Sequence, residues 1–313
     1  MNPLQKILSA QPFIVQDGAF ATELERAGFT INDPLWSAIA LYKKPELVKK
    51  VYRSYLDAGA DVIITASYQA SVEGFVKKGF TPEHAKELIR LSVSLAKDAR
   101  DEFWAENTDE SRAYPLVAAS LGPYGAHLAD GSEYRGAYGV PKETITSFHK
   151  ENLDILAEAV PDLYAFETVP CYLEAEAIAD ALAGYPEDSA WVAFSCKEGH
   201  HTCEGNPITD CAKLLDAVPQ VASIGVNCCP PGIVESLVRD IASVTKKIIV
   251  VYPNSGETYD PVTKGWIGSP VSYRDYAKIW YDAGARLIGG CCRTTPDDIR
   301  AVRRTMESLR NDK

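Results

Sequence analysis

The sequence predicts an α/β fold, a single (β/α)8 barrel that uses residues 1–313, and three observations predict it. Eight short apolar runs bounded by turn residues recur along the chain, segments with helical spacing separate them, and no Ser/Gly-rich linker or low-complexity tract interrupts the alternation. The runs fall at 13–16, 61–65, 116–120, 163–166, 191–195, 222–226, 248–251 and 286–288. The rival architecture, an open doubly wound sheet, calls for a Gly-rich GxGxxG turn after its first strand. Asp17-Gly18-Ala19-Phe20-Ala21-Thr22 stands there instead, which argues against a dinucleotide site.

The helical segments can be justified in turn. Over 45–58, Leu47, Val48, Val51, Tyr52, Tyr55 and Leu56 recur on one face, with Pro45 suited to the first turn and Gly59 to the stop. The stretch 85–104 places Leu88, Leu91, Leu95 and Ala99 on another stripe, and 233–241 and 273–281 are shorter cases. In the last helix Thr295 is placed to cap, Pro296 suits the first position, and Asp297 and Asp298 complement the positive end of the helix dipole. Ile299, Val302, Met306 and Leu309 then form its apolar face. Asp57-Ala-Gly-Ala-Asp61 and Asp282-Ala-Gly-Ala-Arg286 echo each other as helix-to-strand turns.

Composition narrows the functional classes. With 46% hydrophobic and 24% charged residues the chain reads as globular rather than disordered, and a net charge of −11 offers no footprint for nucleic acid or an anionic membrane surface. No apolar run reaches the roughly 20 residues of a membrane span, and the start MNPLQKILSAQPF lacks the apolar core of a secretory signal. A cytoplasmic protein is expected, in which eight cysteines point to metal binding or catalysis more than to a disulfide framework.

In such a barrel chemistry gathers where strands end. Asp17-Gly18, Ser67-Tyr68-Gln69, Gly122-Pro123-Tyr124, Glu167-Thr168, Asn227-Cys228-Cys229, Tyr252-Pro253-Asn254 and Gly289-Gly290-Cys291-Cys292 all follow apolar runs. Cys291 and Cys292 are adjacent, and Gly289-Gly290 lets the backbone approach closely and frees both thiols to turn toward one point. Cys228 lies 63 positions earlier at another strand end. Three thiolates from two strand ends form a candidate zinc site with one position left for substrate or water. Cys229 competes for the third place, but strand geometry sends it to the opposite side from Cys228. Cys171, Cys196, Cys203 and Cys211 read as small buried residues. His200-His201 reads as part of a polar surface loop, and His84, His127 and His149 as single solvated or hydrogen-bonded histidines. Asp17 and Glu167 can hold an ammonium group at the rim, against the plainer readings of a turn and a helix cap.

At these residues the chain resembles the homocysteine S-methyltransferases, in particular the branch that uses S-methylmethionine or S-adenosylmethionine. The matching stretches are Asp17-Gly-Ala-Phe-Ala-Thr-Glu-Leu24, Thr65-Ala-Ser-Tyr-Gln-Ala70, Ser120-Leu-Gly-Pro-Tyr-Gly-Ala126 with Asp130-Gly-Ser-Glu-Tyr-Arg-Gly136, and Phe166-Glu-Thr168. Gly225-Val-Asn-Cys228, Val251-Tyr-Pro-Asn-Ser-Gly-Glu257 and Leu287-Ile-Gly-Gly-Cys-Cys-Arg-Thr-Thr-Pro296 complete them. The resemblance implies Zn²⁺ on Cys228, Cys291 and Cys292, and homocysteine contacts around Asp17, Gly18 and Glu167, with a part for Asn254. Two places depart from the family pattern: Val160-Pro161, where Gly-Ala is usual, and Glu204-Gly205-Asn206, where Asp-Gly-Thr is more common.

The chemistry expected is attack of a zinc-activated homocysteine sulfur on a sulfonium methyl, giving methionine. Tyr68, Tyr124 and Tyr134 are candidates for cation–π contact with the sulfonium. Rival readings are a betaine donor, a selenol acceptor, or a non-catalytic zinc or redox barrel. Only 21 residues follow Cys292, too few for a long C-terminal oligomerisation arm, which tilts the expectation to a monomer.

Overall fold

The computed structural model describes residues 2–33, 35–260 and 265–311. Eight parallel strands appear where the apolar runs lie: β1 (Ile14–Val15), β2 (Val62–Ile64), β3 (Leu116–Leu121), β4 (Leu163–Val169), β5 (Ala190–Phe194), β6 (Val221–Asn227), β7 (Ile248–Tyr252) and β8 (Leu287–Ile288). Each of β2 to β7 pairs with the next in sequence, β7 pairs with β8, and β8 pairs with β1. A bridge between Gln16 and Val62 brings β1 against β2 and closes the ring, with Asp61 N donating to Val15 O (2.6 Å) and Asp17 N to Val62 O (3.0 Å). The architecture is the (β/α)8 barrel.

Both strand faces are buried, which is why the runs read as continuous apolar stretches rather than alternating ones. On β4, Leu163 and Ala165 point into the barrel while Tyr164 and Phe166 join the outer layer; Trp191 and Ala193 against Val192 and Phe194 repeat the division on β5. Leu4 and Ile7, from the helix Pro3–Leu8, pack with the inner cluster beside the strand starts Leu116 and Ile248, so this helix plugs the N-terminal end.

The helices Pro45–Asp57 and Tyr273–Ala283 bury the expected faces, and the turn glycines Gly59 (φ +107°) and Gly284 (φ +130°) both adopt the left-handed conformation that the repeated turn demands. The long helix is Pro82–Glu106, three residues earlier than its apolar stripe, because Thr81 Oγ1 accepts from His84 N (3.2 Å) and caps it there. In Pro296–Asn311 the cap contact runs opposite to the expectation. Asp298 Oδ2 accepts from Thr295 N (2.8 Å) and Oγ1 (2.9 Å), so the acid of the first turn reaches back to the cap residue. A hairpin of Thr258–Asp260 with Gly265–Ile267 sits between β7 and β8 without having announced itself as an apolar run. Among the described residues no helix is long and apolar enough to cross a membrane.

Candidate functional site

The C-terminal mouth is built by strand ends that leave the ladder abruptly. After β6 the chain turns at Cys228, which has φ +46°, while Cys228 N donates to Tyr252 O of β7 (3.2 Å). Cys229 is fully buried in the outer layer, away from the sulfurs that Cys228 joins; the turn at Cys228, past the end of β6, separates the two, rather than strand alternation. After β8 a Cβ on Gly289 would lie 2.7 Å from Asp17 O, and one on Gly290 2.4 Å from Thr294 Oγ1, so only glycine lets this segment lie on the end of β1. Cys291 N donates to Pro253 O (2.7 Å), Ser255 N to Cys292 O (2.9 Å), and Arg293 ends the turn at φ +69°.

The result is convergence of the Cys228, Cys291 and Cys292 sulfurs within 4.8 Å of one another. Cys228 and Cys291 are paired as a disulfide with Cα atoms 5.4 Å apart, and Cys292 Sγ lies 3.7 Å from Cys228 Sγ. Left-handed backbone at Cys228 and Arg293 costs about 1–2 kcal/mol each, a cost that recurs at functional sites where the surrounding fold holds it. Cys171, Cys196, Cys203, Cys211 and Cys229 are all buried. His200 and His201 lie on the surface, facing Asp240 (2.8 Å) and Glu198 (2.5 Å).

Two carboxylates share the mouth. Asp17 is 3% exposed; its Oδ2 accepts from Ile64 N (2.8 Å), while Oδ1 is buried with no hydrogen-bond partner among the described residues. Gly18 has no room for a side chain, since a Cβ would meet Thr294 Oγ1 at 2.8 Å and the Tyr55 ring at 2.9 Å. Glu167 lies within β4, not beyond it, where the register shifts between Phe166 and Val169 and Thr168 takes φ +62°. Asn227 pins this bulge: its Oδ1 accepts from Thr168 N (2.7 Å) and its Nδ2 donates to Thr168 Oγ1 (2.9 Å). The Glu167 carboxyl accepts from Ser120 Oγ and from the Tyr252 hydroxyl, which itself accepts from Trp191 Nε1 (3.0 Å).

Burial pushes Glu167 up to about 7 against an ordinary 4.5. Burial also lifts Asp17 well above its usual range, with the Glu167 charge adding to the effect. Asn254 contributes another orphan acceptor, a buried Oδ1 without a partner among the described residues, and its N donates to Cys229 O (3.0 Å). Buried acceptors left unpaired cost free energy until a donor arrives. The mouth is therefore suited to a ligand that brings N–H groups.

The tyrosines separate. Tyr68 and Tyr134 are at the mouth: Tyr68 bonds Thr168 and lies within electrostatic reach of Glu167, and Tyr134, 38% exposed, within that of Cys292. Tyr124 stacks against Tyr138, Phe148 and His127, and its N donates to Glu174 Oε1 (2.6 Å). The same buried carboxylate receives Tyr138 OH (2.5 Å) and lies 2.9 Å from His149 Nε2. Glu204 and Asn206 do not stand idle in the departing loop: Glu204 Oε1 accepts from Ala137 N (2.6 Å) and Asn206 Oδ1 from Tyr172 N (2.8 Å). Ser120, Tyr252 and Asn227 also meet here and had no role assigned from sequence; each stands at the end of an apolar run and within a stretch that carries the family resemblance.

With this geometry in view, the likenesses to other proteins are specific. The family profile described as homocysteine S-methyltransferase matches residues 14–306. The homocysteine S-methyltransferase YbgG of Bacillus subtilis (strain 168) is 50% identical over 313 residues, 99% of each chain, and homocysteine S-methyltransferase 1 of Zea mays is 48% identical over 94% of each. A solved structure of the Escherichia coli homocysteine methyltransferase MmuM, described as its metallated form, superposes with a TM-score of 0.88 at 43% identity, covering 97% of this chain and 99% of the other. An oxidised form of the same protein gives the same values. The chain belongs to the homocysteine S-methyltransferase family of enzymes.

Proposed function

We propose that the protein transfers a methyl group from a sulfonium donor, S-methylmethionine or S-adenosylmethionine, to the thiol of L-homocysteine, with Zn²⁺ held by Cys228, Cys291 and Cys292. The observation that carries the reading is the convergence of three sulfurs within 4.8 Å at the mouth of the barrel. An all-sulfur donor set suits zinc, and three protein ligands leave a fourth tetrahedral position open. The reading requires the Cys228–Cys291 pair in its reduced state. When bound, the ion supplies the Lewis acidity that keeps a substrate thiol ionised at neutral pH.

The chain's own residues do the positioning. Asp17 and Glu167 accept the substrate ammonium, Asn254 Oδ1 offers a further acceptor, and Ser120 and Tyr252 hold Glu167 in place. Fixing the amino-acid end directs the thiol end to the sulfur cluster, and the acceleration comes from alignment of the two reactants. The homocysteine sulfur attacks the methyl carbon in line, the donor's carbon–sulfur bond breaks, and the donor leaves as a neutral thioether. Tyr68 and Tyr134 present aromatic surface to the cationic donor.

Metal content measured beside methionine formation, on protein kept reduced, tests this reading. Cys228→Ser, Cys291→Ser and Cys292→Ser should each lose both; full activity in a zinc-free Cys292→Ser protein would overturn it. Running both sulfonium donors and a selenol acceptor in the same assay fixes the donor and the acceptor range. The 45% identical selenocysteine Se-methyltransferase of Brassica oleracea var. italica makes the second comparison worth running.

A further inference from the structure

A cavity of about 350 Å³ opens beside the mouth, lined by Asp33, Trp36, Gln69 and Glu133 among others, with no lysine or arginine among the described residues of its wall. Pockets from about 300 Å³ upward hold small organic ligands. Most of its polar groups are already engaged. Asp33 pairs with Lys78 (2.5 Å) and accepts from Leu35 N (3.0 Å), and Gln69 Nε2 donates to Ala126 O (2.9 Å).

Glu133 differs. Its Oε2 is buried and has no hydrogen-bond partner among the described residues. Its backbone is nevertheless held firmly. Ser195 Oγ donates to Glu133 O (2.9 Å), Asp130 Oδ1 accepts from Ser132 N (2.9 Å) and Oγ (2.5 Å), and Gly125 packs so close that a Cβ there would come 2.4 Å from Glu133 N. Glu133 lines the cavity, and a carboxylate with one oxygen left unpaired by a rigid loop is a receptor for a hydrogen-bond donor. Burial holds the carboxyl above its ordinary range, a cost that a cation removes.

The surroundings tie this carboxylate to the mouth. Glu133 acts electrostatically on both Tyr68 and Tyr134, and those two tyrosines also lie within electrostatic reach of Glu167 and Cys292 respectively. Trp36 packs edge-on against Tyr68 with ring centroids 6.0 Å apart, held at φ +47°. Trp36 thus links the cavity wall to Tyr68 at the mouth. A sulfonium carries no hydrogen on its charged atom and cannot satisfy an orphan acceptor, whereas an α-ammonium brings three N–H donors.

We infer that Glu133 selects the methyl donor by binding its α-ammonium in this cavity, leaving the sulfonium against Tyr68 and Tyr134. This rests on the sulfonium-dependent methyl transfer proposed above and adds to it a specificity residue on the donor side.

The test compares S-methylmethionine with dimethylsulfoniopropionate, a sulfonium without an amine, on reduced, zinc-loaded protein. Glu133→Gln should raise the KM for S-methylmethionine about tenfold, the worth of one charge-assisted hydrogen bond, with the KM for homocysteine unchanged. With dimethylsulfoniopropionate the variant and the parent should be equal. Glu133→Ala should show the same donor loss without a fall in melting temperature, because it removes an unpaired buried oxygen.

Calorimetric binding of S-methylmethionine without homocysteine should weaken by the same factor in both variants. An unchanged KM and Kd, an equal loss with both sulfoniums, or a loss falling on homocysteine would each overturn the inference. Should the parent bind S-methylmethionine in a Glu133-dependent way yet transfer no methyl group, the proposed function fails and the Glu133 site stands.

Discussion

With Glu167 in its proposed role as ammonium acceptor, its raised carboxyl should make product binding depend on pH in a way that can be calculated. In the free protein this group sits at about 7, because burial disfavours its charge more than Ser120 and Tyr252 stabilise it. An ammonium ligand needs the ionised form. At pH 6 only about one molecule in eleven has it, whereas at pH 8 about ten in eleven do, so the apparent Kd should be about tenfold weaker at pH 6 than at pH 8. Methionine is the ligand to use. It carries the ammonium without a thiol, so no proton released at sulfur contributes to the slope. Titrations by calorimetry in buffers of different ionisation heat also count the proton that binding expels.

Glu167→Gln removes the titrating group and should flatten the ratio to under about threefold, with Asp17 left as the remaining buried acid. The same shift has a consequence for stability, with the opposite preference. A carboxyl moved from 4.5 to about 7 favours folding while neutral, and that contribution, about 3 kcal/mol, is lost as pH rises from 4.5 through 7. Ligand-free protein should therefore gain stability relative to Glu167→Gln below pH 5, and methionine should narrow the difference above pH 7. A pH-independent methionine Kd in the parent, or an undiminished tenfold ratio in Glu167→Gln, would refute the reasoning.

Two further expectations concern the frame. Asp61 is fully buried and accepts from Gln11 Nε2 (2.8 Å), Val15 N (2.9 Å) and Arg303, where β1 meets β2; Asp61→Ala should cost about 3–5 kcal/mol in urea unfolding by stranding the Arg303 charge, and a loss under about 1 kcal/mol would contradict that role. Val160, a β-branched residue 69% exposed at φ +52°, occupies a left-handed position in the turn before β4. Val160→Gly trades about 1–2 kcal/mol of strain for about 0.5–1 kcal/mol of chain entropy, so the melting temperature should rise with activity unchanged; a fall would show that the turn is not strained.

That Val160 falls where the family pattern carries Gly-Ala shows how a departure in sequence becomes physical once φ is known. Other features were legible without coordinates. The strands β3 to β7 could be read because both of their faces are buried, so an apolar run survives the period-2 alternation. Even β1 and β8, two residues each, are marked by the Asp17-Gly18 and Gly289-Gly290 that follow them.

What resisted reading is meeting rather than placement. Ser120, Glu167 and Tyr252 each end an apolar run, yet they face one another only because the ring closes and because β4 bulges at Thr168, a residue with no glycine to advertise a positive φ. Glu174, His149 and Tyr138 likewise meet only in three dimensions, from two neighbouring helices and a loop. The cysteines escaped this limit because two of the three are adjacent, and closing the barrel had only to bring one more sulfur to a point already half defined. Glu133 marks the opposite extreme. Its significance is a carboxylate on a cavity wall with one oxygen unpaired among the described residues, a property that no spacing encodes because the wall is shared with Trp36, Gln69 and Gly131 rather than owned by any one residue.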